Sequence, residues 1–134
     1  MPDCVLRVAG SKAKVKKFLA ESSFTPCKVY YCGEFGHGKS RGPNKISGFQ
    51  VSLSGFHGTS ISKQASQAVK FITNHRSDFT LLASYKFKRT SLDFGLYDLA
   101  SEERPWPSYR IPRKLVELAG EFGLEFELSF YGKP

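Results

Sequence analysis

Residues 31–53 read YCGEFGHGKSRGPNKISGFQVSL, and the path of the chain after Lys39 and Ser40 decides which kind of fold this is. The segment GEFGHGKS fits the G-x-x-x-x-G-K-[ST] pattern of phosphate-cradling loops letter for letter. Such a loop works only where a strand delivers its glycines straight into a helix, whose free N–H groups and positive dipole end converge on the phosphates. Here the first helical turns would have to be built from RGPNKISG, and Gly42 with Pro43 breaks them. The next regular pattern is a strand, with Phe49, Val51 and Leu53 alternating against Gln50, Ser52 and Ser54. No apolar strand ends in an acidic residue suited to hold a metal, since SLDFG places Asp93 mid-strand. The spacing therefore predicts a long hairpin between strands at Cys27–Cys32 and Ile46–Leu53, and the match to the nucleotide-binding pattern is read as accidental.

The same period analysis extends in both directions. Cys4–Val8 reads as a strand, and Ser11 caps a helix whose Val15, Phe18 and Leu19 form an apolar stripe between lysines. Ser60 or Ser62 caps a second helix that runs to about Asn74, with Ala65, Ala68, Val69 and Ile72 inside. Residues 78–85 fit either a strand or a short helix capped by Asp78, and the helix is the reading adopted. Leu92, Phe94 and Leu96 alternate in a fourth strand, and DLASEERPWPSYR is a loop. Pro112 opens a last helix that Gly123 closes. In LEFELSFY, residues 124–131, Leu124, Phe126, Leu128 and Phe130 are expected inward, with Glu125, Glu127 and Ser129 outward. This order predicts a single α+β domain over residues 1–134. It is a two-layer sandwich of about five mostly antiparallel strands with the helices on one face and a ferredoxin-like core.

The chain of 134 residues carries a formal charge of +8, unevenly placed. Residues 1–90 hold fifteen Lys/Arg against four Asp/Glu, so this part is expected to attract anionic partners. No apolar run approaches the roughly 20 residues of a membrane span, and the start has no signal-peptide pattern. A cytoplasmic protein that keeps away from membranes is expected. The three cysteines do not form a disulfide framework, and are expected to be small core residues with one exposed.

Two sets of binding residues stand out. Lys39, Arg41 and Lys45 on the glycine-rich loop, with Trp106, Tyr109 and Arg110 from ERPWPSYR, suit a partner protein with an acidic surface. Alternatively, Lys12, Lys14, Lys16 and Lys17 on the first helix, with Lys63 and Lys70 on the second, make a basic helical face for RNA or DNA, helped by the same loop. Tyr30 and Tyr97 are stacking candidates on the polar sheet face. No cofactor or metal site is assigned: Cys27 and Cys32 lie five residues apart on one strand and point to opposite faces, whatever His37, His57 or His75 adds. No catalytic residues are assigned either. Cys32 with His37 lacks an orienting carboxylate, and Asp93, Glu125 and Glu127 read as a solvated outer face rather than a working acid–base pair.

SLDFGLYD, then YRIPRKLVELAGEFGLEFELSFYG, with SGFQVSLSG and QAVKFI before them in the same order, resembles a group of small bacterial cytoplasmic domains. The likeness covers most of the chain but rests on core-forming patterns. Members have no established activity, and some are regarded as immunity proteins that neutralise a neighbouring toxin. The resemblance thus implies a non-enzymatic protein-interaction module, without indicating any site residue. A nucleic-acid-binding module is the alternative, and a small enzyme of unspecified reaction a third.

Overall fold

In the computed structural model, residues 3–34, 42–53, 60–97, 102–103, 105 and 108–131 are described. The elements are β1 (Cys4–Gly10), α1 (Lys12–Glu21), β2 (Lys28–Tyr30), β3 (Ser47–Ser52), α2 (Ile61–Asn74), α3 (Arg76–Tyr85), β4 (Arg89–Leu96), α4 (Arg113–Phe122) and β5 (Glu125–Phe130). Ser11 and Ser60 accept the capping hydrogen bonds of α1 and α2 from the N–H groups of Lys14 and Lys63, each at 3.3 Å. Gly123 ends α4 in the left-handed conformation that costs glycine least. The ambiguous segment is helical, with Phe79 and Leu82 buried. None of the described helices is long and apolar enough to cross a membrane.

The strands lie in the order β2-β3-β1-β4-β5, antiparallel throughout except for β4 with β5. β3 sits between β1 and β2, and β1 sits between β3 and β4. Two β-α-β units are thereby interleaved, and β4-α4-β5 adds a third with adjacent parallel strands. This is the expected α+β class: a mostly antiparallel five-stranded sheet layered with helices. The helices pack on the face that carries Leu6, Val8, Phe49, Val51, Leu92 and Phe94, and those side chains form the centre of the core.

The hairpin between β2 and β3 is confirmed at its stem. Gly33 N–H donates to Asn44 O and Asn44 N–H to Glu34 O, both at 2.8 Å, which closes the base of the loop. Residues 42–46 are not helical and the chain enters β3 at Ser47, so among the described residues the approach to β3 is irregular chain rather than helix. Beside this hairpin, a Cβ on Gly48 would sit 2.2 Å from Val8 O and 2.6 Å from the Tyr30 hydroxyl. Only glycine allows Tyr30 to lie across β3 there.

Three expectations need correction. β2 has only three residues, and both Cys27 and Cys32 fall outside it and are exposed; only Cys4 is a core cysteine. The outer sheet face is not uniformly wet. Asp93 and Ser91 are buried on it, because Arg7 from β1 and Glu127 and Ser129 from β5, with Arg89 of β4 itself, fold over the middle of β4. Finally, Leu128 and Phe130 point to the helical side but stay 43% and 56% exposed. Alternation shows which face a side chain joins; it does not show whether a helix covers that face at the sheet edge.

Candidate anion-binding cleft

Where β1 ends and β3, β4 and β5 begin, the chain surrounds a cleft of about 900 Å³. Its lining brings together Lys12 and Lys14 from the first turn of α1, Lys45 from the hairpin stem, and Lys86 and Lys88 from the turn between α3 and β4 with Arg89 at the start of β4. Glu125, at the start of β5, is the one carboxylate among these lining residues. The floor is apolar, made by Ala9, Gly10 and Ile46, and lies over an aromatic block. In that block Phe18 stacks on Phe49 at 5.5 Å, Tyr85 stacks on Phe87 at 5.4 Å, and Phe18 meets the edges of both. The Phe87 ring occupies the space where Gly10 would carry a side chain. The lysines therefore rise from a rigid base.

The cations differ in how far they are already engaged. Lys14 Nζ donates to the Tyr85 carbonyl at 3.0 Å, tying α1 to the end of α3. Lys12 Nζ lies 3.9 Å from a Glu34 carboxylate oxygen and 5.4 Å above the Tyr31 ring, which Lys16 also approaches at 5.3 Å. Arg89 pairs with Glu127 on the outer face. Lys45, Lys86 and Lys88 have no ion pair among the described residues. Lys86 is held in place by its backbone: it caps α3 in the left-handed conformation, with φ 50°. Three ammonium groups without a counter-charge beside one recess favour an anion there, since like charges this close lower their mutual repulsion by binding one.

The two sequence-derived sets do not survive as sets. Lys12, Lys14 and Lys45 meet at the cleft, although they were drawn from different ones. Lys17 points away and pairs with Glu21. Lys63 and Lys70 are on α2, which packs on β1, β4, α3 and α4 rather than beside α1, and Lys70 borders a separate hollow of about 300 Å³ with Leu53, Phe71 and His75. The α1 lysines Lys12 and Lys14 thus line one recess and Lys70 of α2 another. Tyr109 and Arg110 lie at the other end of the sheet, where the Tyr109 hydroxyl donates to Tyr97 O at 3.2 Å just past β4. The cleft lined by Lys45 does not include them. Lys39, Arg41 and Trp106 fall outside the described residues, as do His37 and His57.

Lys86, Lys88 and Arg89 were not singled out from the sequence. The run KFKR, residues 86–89, was the available signal, and only the sheet order shows that it reaches the start of α1.

On the outer sheet face Arg7 Nε donates to Asp93 Oδ2 at 2.8 Å and the Ser129 hydroxyl to Asp93 Oδ1 at 2.7 Å. Asp93 is thus paired with a cation and accepts a hydrogen bond at each carboxylate oxygen, which suits a structural strut better than a general base. Tyr30 lies on the same face, its hydroxyl pKa raised by burial against the opposing pull of Arg89 and Arg7. His75, at the junction of α2 and α3, stacks on Phe71 at 4.1 Å with its Nδ1 2.9 Å from Phe71 O. It is a junction residue packed in place.

No family model matches the chain, and neither the curated proteins nor the solved structures contain a match to it.

Proposed function

We propose that the protein is a non-enzymatic binding module that takes the phosphate backbone of a single-stranded nucleic acid in the cleft between α1, the hairpin stem and the α3–β4 turn. The observation that carries this reading is the convergence of six cationic side chains from three separate segments on one recess with a single carboxylate. A flexible strand can follow such a recess, and each phosphate it places there releases condensed counterions. No aromatic side chain lines the cleft among the described residues, so contact is by charge and carries little sequence preference.

That same absence of a stacking ring favours a second reading, in which the cleft receives an acidic segment of a partner protein. Here Lys45 steers the encounter, as in an immunity protein that neutralises a toxin by binding it. The resemblance noted from the sequence supports this alternative.

Fluorescence anisotropy with mixed-sequence 12-nucleotide RNA and DNA separates the two. If three phosphates are neutralised, affinity for a single strand falls about 20-fold between 50 and 200 mM salt. The triple variant Lys45→Glu, Lys86→Glu, Lys88→Glu is expected to lose binding at least about tenfold, a loss of that order following from reversing several phosphate contacts. No binding at low salt, or a triple variant that binds like the parent, defeats the nucleic-acid reading. An acidic protein that the parent captures in stoichiometric amount and the triple variant does not would establish the second.

A further inference from the structure

We propose that β5 is a self-pairing edge, through which two copies of this chain join antiparallel strands across a two-fold axis to make one continuous ten-stranded sheet. The inference is independent of the cleft and rests on three observations.

The first is hydrogen-bond phase. β5 closes the strand order, and among the described residues no strand pairs with its far side. Tyr131 N–H donates to Leu96 O at 2.8 Å, so the odd-numbered residues of β5 turn their backbone groups toward β4. Phe126, Leu128 and Phe130 therefore present theirs to the open edge.

The second is charge. A two-fold pairing must place inward residues opposite inward residues, which leaves few registers. Centring on Phe126 sets Glu125 against Glu127 of the other copy twice, and centring on Glu127 sets that residue against itself. Centring on Leu128 pairs Phe126 with Phe130, Glu127 with Ser129 and Glu125 with Tyr131, and opposes no carboxylates. The same register lets the three edge-facing residues of each copy exchange about six backbone hydrogen bonds, two at each hydrogen-bonded pair.

The third is exposed apolar surface. Leu128 and Phe130 keep 43% and 56% of their surface open on the helical face, and this register sets them with Phe126 in one apolar row across the axis. The opposite edge is protected from the same fate, since β2 has only three residues and carries Lys28. In the resulting dimer the two basic clefts face opposite ends of the joined sheet.

Sedimentation velocity over a concentration series tests this. The parent chain is expected to sediment at twice the chain mass at high concentration and to dissociate on dilution. Leu128→Lys, which opposes two ammonium groups on the axis, is expected to be monomeric throughout with an unchanged far-ultraviolet circular dichroism spectrum. Phe130→Lys, at a still more exposed position, gives the same result should Leu128→Lys perturb the fold. A parent that stays monomeric up to millimolar concentration, or a dimer that both variants leave intact, overturns the proposal, as does an edge occupied by a different protein while the chain alone is monomeric. Lys45→Glu is expected to leave the dimer unaffected, so failure here and failure of the cleft reading are read separately.

Discussion

At one end of the sheet, where β1 leaves and β3, β4 and β5 begin, lysines surround a recess over packed aromatic rings; at the other, Leu128, Phe130 and Tyr131 stand open beside Tyr109. The six residue steps from Gly10 to Cys4 put these ends about 20 Å apart, at some 3.3 Å per residue. The difference lies in what stands behind each surface. At the cleft end Phe18, Phe24, Phe49, Tyr85 and Phe87 form a connected set of ring contacts, and the cations project from it into water. At the other end the apolar residues touch little, with Phe130 meeting Tyr109 at 6.2 Å. Charged side chains are stable in water over a firm base, whereas apolar ones left open are stabilised only by a further surface.

The sharpest way to break this comparison is to truncate one ring at each end. Phe18→Ala removes the fully buried centre of the aromatic block and is expected to cost about 3–5 kcal/mol. Phe130→Ala, in a chain kept dilute enough to be monomeric, is expected to cost less than about 0.5 kcal/mol. Urea denaturation measures both, and equal losses would show that the two ends are supported alike.

Between the ends, the outer face offers a smaller contrast. Asp93, whose side chain is 4% exposed, holds both Arg7 and Ser129, so Asp93→Ala leaves two donors unmatched and is expected to cost about 1–3 kcal/mol. Glu127→Gln touches the more open pair with Arg89 and is expected to cost under about 1 kcal/mol. Thermal unfolding of the two variants ranks them; the reverse order would mean that the outer face is held by its exposed pair.

A further effect is on alkaline stability, and each end contributes to it. Burial, reinforced by Asp3 and Asp93, raises the Cys4 thiol well above its ordinary value of 9.0 at the apolar end. At the cleft end burial raises the Tyr30 and Tyr85 hydroxyls above 10.0, with the Glu21 hydrogen bond adding to the effect on Tyr85. Each folded-state value lies above the unfolded one, so the unfolded chain loses its proton first. Stability is therefore fully present below about pH 9 and declines as pH rises beyond it, by up to about 1.4 kcal/mol per pH unit for the buried Cys4 thiol. Cys4→Ala is expected to flatten the first part of that decline in urea midpoints, and an unchanged slope would remove Cys4 as its source.

Much of this architecture was legible in the residues. Ser11, Ser60 and Gly123 mark helix ends because each satisfies backbone groups that a helix leaves unpaired. Gly42 with Pro43 excluded a helix after the phosphate-loop look-alike, for the local steric reason that proline and glycine carry everywhere. The cleft was legible only in fragments. Lys12, Lys14 and Lys45 were visible as basic positions, but nothing in their spacing says that they meet, and Lys86, Lys88 and Arg89 complete the site from forty residues or so further along. Nor does spacing show that Lys45 and the pair Tyr109 and Arg110 stand at opposite ends of the sheet.

Periodicity, caps and helix breakers act over a few residues, and so the amino-acid order by itself determined where strands and helices form and which way each side chain faces. Which strands become neighbours depends on how the apolar faces bury one another, a property of the whole chain. Only the tertiary structure, by placing β1 between β3 and β4 and leaving β5 at the rim, decided that the lysines share one recess and that Leu128 and Phe130 remain uncovered.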